Sequence, residues 1–208
     1  MAGTVSYSQV AEDLIAAYLL GNPRDITYVD IGCLWPVKLS NTYFFYERGG
    51  KGLCIDPNPT VADEYRKARP RDIFANCGVG ISGSLDYYMF ANPALNTFSK
   101  TRADRVATNP ARPLQEVRSI PVKPLAQIFA ENGFAGIAID FMSIDIEGYE
   151  MEVLPSVDWQ AIAPRVIVCE VFQAGKSISD NQIIKYLESQ NYTLAAFTEH
   201  DAFFRRVP

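Results

Sequence analysis

Hydrophobic positions follow two different periods along this chain. From Ser8 to Leu20 the apolar residues Val10, Leu14, Ile15, Tyr18 and Leu19 recur at helical spacing, and Gly21-Asn22-Pro23 ends the run. ITYVDIG (26–32) and KGLCID (51–56) are instead short, nearly continuous apolar runs, which predict buried strands. Between them TYFFYERGG (42–50) reads as a helix, with Ser40-Asn41 offering the N-cap and two glycines closing it. Pro57 and Pro59 break the second strand, and a short helix runs on to Ala68. RDIFANCGVG (71–80) predicts a third strand, and SLDYYMF (84–90) a fourth that returns antiparallel. A stretch rich in Pro, Asn and Arg follows from Ala91 to Pro113. EVRSIPV (116–122), IAIDFMSIDIEG (137–148), RVIVCEVF (165–172), YTLAAFTE (192–199) and DAFFRRV (201–207) supply later strands. Helices are expected over LAQIFAENG (125–133) and near 180–190.

Strands alternating with helices mean an α/β domain whose mostly parallel sheet is covered on both faces. The last two strands are separated by a short turn, so they should pair antiparallel at one edge. With 208 residues and no internal repeat or linker, residues 1–208 read as one domain. The apolar runs fall far short of the roughly 20 residues a membrane span needs, and the N-terminus shows neither a basic nor an apolar leader region. Cys33, Cys54, Cys77 and Cys169 lie too far apart for a zinc site and mostly sit in strand-like segments, as small buried residues of a reducing compartment would. A net charge of −5 speaks against a nucleic-acid footprint. The expectation is a cytoplasmic domain.

The stretch YVDIGCLWP (28–36) carries the first chemical signal: Asp30 and Gly32 mark the end of the first strand, and Asp56 marks the end of the second, 26 positions on. Open α/β sheets bind ligands beyond the carboxyl ends of their strands, and an acid at the second strand end can accept both hydroxyls of a ribose. DIGCLWP lacks the further glycines that let a backbone approach a pyrophosphate. An adenosine ligand without phosphates, such as S-adenosylmethionine, fits better than a dinucleotide; the plain alternative is that Asp30 only caps a turn.

SYSQVAEDLIAAYLLG, YVDIGCLWPVKLSNTYFFYERGGKGLCIDPNP, FANCGVG, LNTFSK and MSIDIEGYEMEVLPSVDW, in that order, resemble the FkbM family of S-adenosylmethionine-dependent methyltransferases. The resemblance implies a Rossmann-like methyltransferase fold with an antiparallel strand at the sheet edge. It also implies O-methylation, mostly of sugars and glycans and in some cases of other natural products. Under it Asp30 and Gly32 belong to the cofactor loop, Asp56 holds the ribose, and Asn76 lies where adenine is contacted. Gln9, Ser40 and Asn41 join them as cofactor-binding candidates. The chain departs from the family pattern at Val10-Ala11, where a glycine is expected before the acidic pair.

Methyl transfer from a sulfonium is an in-line displacement dominated by alignment of the acceptor, although a hydroxyl must still lose its proton to a base or beside a metal. Asp145 and Glu147 in SIDIEGYE, two apart at a strand end, are the catalytic candidates. Glu170 ends the next strand and, with Asn96 and Thr97, is a candidate for holding the acceptor. These acids could alternatively ligate a magnesium-like cation. With no third ligand evident after Glu170 (Val171 and Phe172 follow) and no histidine near, a metal-independent mechanism is favoured. The lone His200 reads as a solvated turn residue. Trp35 is a packing residue or a pocket wall, and Lys100, Arg102, Arg105 and Arg112 are a solvated helix face or part of acceptor recognition. A nicotinamide oxidoreductase would share the fold but lacks its glycines and a Tyr-x-x-x-Lys pair. A silent S-adenosylmethionine-binding module is the other competitor.

Overall fold

A computed structural model describes residues 4–171 and 178–207. The chain runs α1 (Glu12–Leu20), β1 (Thr27–Ile31), α2 (Tyr43–Glu47), β2 (Lys51–Ile55), α3 (Ala62–Ala68), β3 (Ile73–Ala75), β4 (Gly78–Val79) and β5 (Gly83–Phe90). It continues through α4 (Lys100–Ala107), β6 (Leu114–Lys123), α5 (Leu125–Glu131), β7 (Phe141–Ile144), α6 (Glu150–Val153), β8 (Val166–Glu170), α7 (Gln182–Ser189), β9 (Tyr192–Phe197) and β10 (Asp201–Arg206). Phe172, placed by sequence at the end of β8, lies outside the described residues. Among the described residues no helix is long and apolar enough to cross a membrane.

The main sheet has the order β3-β2-β1-β7-β8-β10-β9. Every pairing from β3 to β8 is parallel, and β10 runs antiparallel to both β8 and β9. The strand order reverses between β1 and β7, and the ends of β1, β2 and β7 meet there. Alternation along β1 sorts two cores. Val29 and Ile31 pack with Ile144, Ile167, Ile128 and Leu187 on one face. Tyr28 packs with Phe141, Val168, Ala17, Phe45 and Tyr65 on the other. Asp30 shares that second face, so it points away from the side that Ile31 covers.

Two expectations shift. The periodic segment from Ser8 becomes helical only at Glu12, because the Asp13 carboxylate gathers the preceding chain: it accepts from Ser6 Oγ at 2.7 Å, Tyr7 N at 2.7 Å and Ser8 Oγ at 2.9 Å. RDIFANCGVG divides at Asn76 between two sheets. β3 closes the main sheet, while β4 joins a second one of order β4-β6-β5. SLDYYMF does return antiparallel, but onto β6, whose ten residues offer a longer partner than the two of β4. This second sheet stands over the strand ends and walls the site.

Candidate active site

A cleft with a cavity volume of about 100 Å³ opens over the ends of β1, β2 and β7. Gly32 starts the loop after β1 at φ +82°, and a Cβ there would overlap the carbonyl oxygen of Asp145. Its lack of a side chain therefore lets the β1 and β7 ends touch. Gly32 N and Cys33 N both donate to Ile55 O, at 2.9 and 3.3 Å, drawing the loop over β2. From α3, Tyr65 Oη donates to Cys33 O at 3.1 Å and the buried Arg69 Nη1 donates to Pro36 O at 3.3 Å. Two side chains thus shape a loop that carries few glycines.

Asp56 follows β2 and is 3% exposed. Its two oxygens accept backbone N–H groups, Oδ2 from Leu34 and Oδ1 from Asn58, each at 2.8 Å. Burial pushes its pKa from 3.8 to about 6 against the pull of those donors, with Asp30 adding a smaller upward push. Asn76 is exposed and stands behind this turn: its Nδ2 donates to Asp56 O at 2.8 Å and Asn58 O at 3.0 Å. Across the cleft lie Trp35, Tyr87, Phe98 and Tyr149, with Tyr87 and Phe98 centroids 4.8 Å apart.

The other half of the floor is acidic. Asp145 lies just past β7, and its Oδ1 is buried without a hydrogen-bond partner among the described residues. Burial first, then the neighbouring Glu150, raises its pKa from 3.8 to about 7. Glu150 opens α6, and its Oε1 accepts from Ile146 N and Gly148 N, each at 3.1 Å. Glu170 ends β8; burial and the charge of Asp145 push it to about 9, and its Oε2 also lacks a partner among the described residues. Asp201, raised to about 8 by burial and by Asp145, pairs with Glu170 in the β8–β10 register. Glu147 stands apart from these: its backbone is left-handed at φ 57°, and its carboxylate is ion-paired with Arg102 of α4.

The FkbM methyltransferase domain matches residues 26–194. The chain belongs to the FkbM methyltransferase family. It is accordingly an S-adenosylmethionine-dependent methyltransferase. Solved structures similar in fold include a candidate RNA methyltransferase from Pyrococcus horikoshii, 8% identical with TM-score 0.51, covering 95% of this chain and 83% of that one. The precorrin-6y C5,15-methyltransferase of Geobacter metallireducens is 13% identical with TM-score 0.48, covering 99% and 94%. A Burkholderia thailandensis 1,6-didemethyltoxoflavin N1-methyltransferase, solved with S-adenosylhomocysteine, is 13% identical with TM-score 0.48, covering 95% and 77%. No curated protein sequence matches the chain.

Within this FkbM fold, Gln9, Gly32, Asp56, Asn96, Thr97, Asp145 and Glu147 line the cleft together. Asp30 does not: it is buried beneath the loop, accepting from Thr42 Oγ1 at 2.6 Å. Ser40 is buried there too, accepting from Tyr43 N at 3.1 Å and Arg69 Nη1 at 3.2 Å, and Asn41 Nδ2 donates to Ser143 Oγ at 3.1 Å. Asp30, Ser40 and Asn41 thus brace the loop from behind, and Asn76 braces the Asp56 turn. Glu170 sits below Asp145 and is not on the cleft wall. Asp145 and Glu147 do not share a strand face, because β7 ends at Ile144 and the left-handed turn at Glu147 redirects the chain.

Asn96 and Thr97 hold the overhanging loop, Asn96 Oδ1 accepting from Phe90 N at 2.7 Å and Thr97 Oγ1 donating to Glu147 O at 2.8 Å. Of the basic set, Arg102 turns inward while Lys100 pairs on the surface with Asp104. His200 is exposed in the β9–β10 turn, beside Glu199. Sequence reasoning missed Tyr87, Phe98, Tyr149 and Glu150; the signal for Glu150 was present, since it follows the same IEGY run.

Proposed function

We propose that this enzyme transfers the methyl group of S-adenosylmethionine to a hydroxyl of a sugar or glycan. The observation that carries the reading is that two acids of different character, Asp56 and Asp145, stand on one cleft at the ends of β2 and β7. Asp56, already oriented by Leu34 and Asn58, accepts the ribose hydroxyls with its remaining lone pairs. The ring faces of Trp35, Tyr87, Phe98 and Tyr149 suit the flat adenine and the apolar faces of a sugar. Gln9 borders the cofactor side, and Asn96 and Thr97 border the acceptor side.

The sulfonium brings its own leaving group, so the protein's contribution is to hold the acceptor oxygen in line with the methyl and to receive its proton. As the new O–CH₃ bond forms and the S–CH₃ bond breaks, the Asp145 carboxylate accepts the hydroxyl's hydrogen bond. Glu147, tied to Arg102, fixes the turn that carries Asp145. Incubation with S-adenosylmethionine and a panel of sugars, read by mass spectrometry, should show one CH₂ gained at oxygen on at least one acceptor. Methylation only of nitrogen or carbon acceptors would remove the hydroxyl reading. Failure to bind S-adenosylhomocysteine would remove the cofactor assignments as well.

A further inference from the structure

We propose that Asp145, Glu150 and Glu170 hold a divalent cation beneath the cleft. One oxygen from each of the three carboxylates lies within 4.8 Å of the others. Oxygens sharing a cation bound at about 2.3–2.6 Å are at most about 4.6–5.2 Å apart, so the mutual spacing of the three is compatible with one coordination shell. They come from separate elements, the loop after β7, the start of α6 and the end of β8, so the main sheet and α6 converge them.

Asp145 Oδ1 and Glu170 Oε2, on two of these three acids, are fully enclosed and have no hydrogen-bond partner among the described residues. A buried carboxylate oxygen is ordinarily satisfied, and two orphans in one cluster mark a missing positive partner. Asp201, the register partner of Glu170 on β10, adds a further acid beside the three. Arg102 on α4 ion-pairs with Glu147, and its charge also reaches Asp145, Glu150 and Glu170, yet neither orphan oxygen takes a hydrogen bond among the described residues. Glu150, held by two backbone N–H groups, is a pre-oriented ligand. An all-carboxylate set selects a hard ion such as Mg²⁺, Mn²⁺ or Ca²⁺.

The sequence alone offered no third ligand; Glu150 is that ligand. Asp145 belongs both to this cluster and to the cleft wall, so the ion would lie within one carboxylate of the acceptor and would polarise its hydroxyl. That last role rests on the hydroxyl-acceptor reading above; the site itself does not.

The test uses the full chain, stripped with a chelator and dialysed, with no acceptor present. Calorimetry with Ca²⁺ and paramagnetic resonance with Mn²⁺ should each report one ion per chain. Glu170→Gln and Glu150→Gln should weaken binding tenfold or more while circular dichroism and S-adenosylhomocysteine affinity stay as in the wild type. Absence of saturable binding of either ion to the wild-type chain would overturn the site, as would undiminished binding in both variants. Because the titration needs no methyl transfer, the cation site and the hydroxyl reading can fail separately.

Discussion

The two halves of the cleft floor are both acidic, yet they are built on opposite principles. At the β2 end, Asp56 meets two backbone N–H groups and is held by them before any ligand arrives. At the β7 and β8 ends, Asp145 and Glu170 each keep a buried oxygen that nothing among the described residues satisfies. Preorganised donors lower the reorganisation needed to bind, whereas unmet lone pairs are a standing cost that only a ligand or a proton relieves. The first half is complete and suited to recognition. The second is complete only when something occupies it, which is where chemistry is expected.

Breaking the incomplete half should have the largest effect. Asp145→Asn keeps the shape but removes the charge that, on the proposed function, receives the acceptor's proton. Turnover should then fall on the order of 10²–10⁴-fold, the usual contribution of a positioned base. Affinity for S-adenosylhomocysteine, measured by calorimetry, should stay near wild type, since the proposed function assigns the cofactor to the Asp56 side. A comparable loss of affinity would mean that the two halves do not divide the labour.

The complete half should respond more modestly. If Asp56 holds the ribose as proposed, Asp56→Ala should cost about 1.5–3 kcal/mol of cofactor binding for each charged hydrogen bond lost. It also strands Leu34 N and Asn58 N, so the variant should melt earlier whatever the residue binds. The pH profile sharpens this. Asp56 has a folded value of about 6 against 3.8, so the folded chain holds the proton more tightly. Ionised Asp56 therefore subtracts from stability above about pH 6, and that penalty disappears below pH 3.8, where folded and unfolded chains are both protonated. On the proposed function binding runs the other way, since the ionised form would accept the ribose hydroxyls. Affinity for S-adenosylhomocysteine should be flat at neutral pH and weaken as pH falls through about 6, and Asp56→Asn should flatten the curve. A profile unchanged by that variant would assign the titration to another group.

Much of this division was legible in the sequence, and the exceptions have physical reasons. Buried parallel strands announce themselves as short apolar runs, so the main sheet and the positions of Asp56 and Asp145 at its rim followed directly. The orientation of Asp30 did not. A one-residue alternation decides its face, and Thr42 and Arg69, which make a buried acid tolerable there, come from elements 12 and 39 positions away. Glu150 was not singled out, because an acid in the first turn of a helix ordinarily just complements its dipole. α6 is only four residues long, and Glu150 turns back onto Ile146 and Gly148 instead. The division of RDIFANCGVG between two sheets depends on β6, some 40 residues later, and no local pattern reports such a partner.

The smallest expected effect lies where the chain departs from its family's pattern. Ala11, where the resemblance led us to expect a glycine, sits at φ 69° and ψ 29°, in the left-handed region just before α1. An L residue with a Cβ is strained there by roughly 1–2 kcal/mol, and glycine is not, although glycine gives back part of the gain through its greater freedom in the unfolded chain. The Asp13 hydrogen bonds to Ser6, Tyr7 and Ser8 hold the segment in place regardless, which explains how alanine is tolerated. Ala11→Gly should therefore stabilise the protein by up to about 1 kcal/mol, or a rise of about 2–4 °C in Tm for a chain of this size. Neither acidic half of the floor is touched, so turnover should not change. Gln9, two residues earlier, lines the cleft, so cofactor affinity is the discriminating measurement. Unchanged affinity would make this turn a brace for α1 alone. A clear shift would place the segment among the cofactor contacts and extend the preorganised half of the cleft to the N-terminal arm.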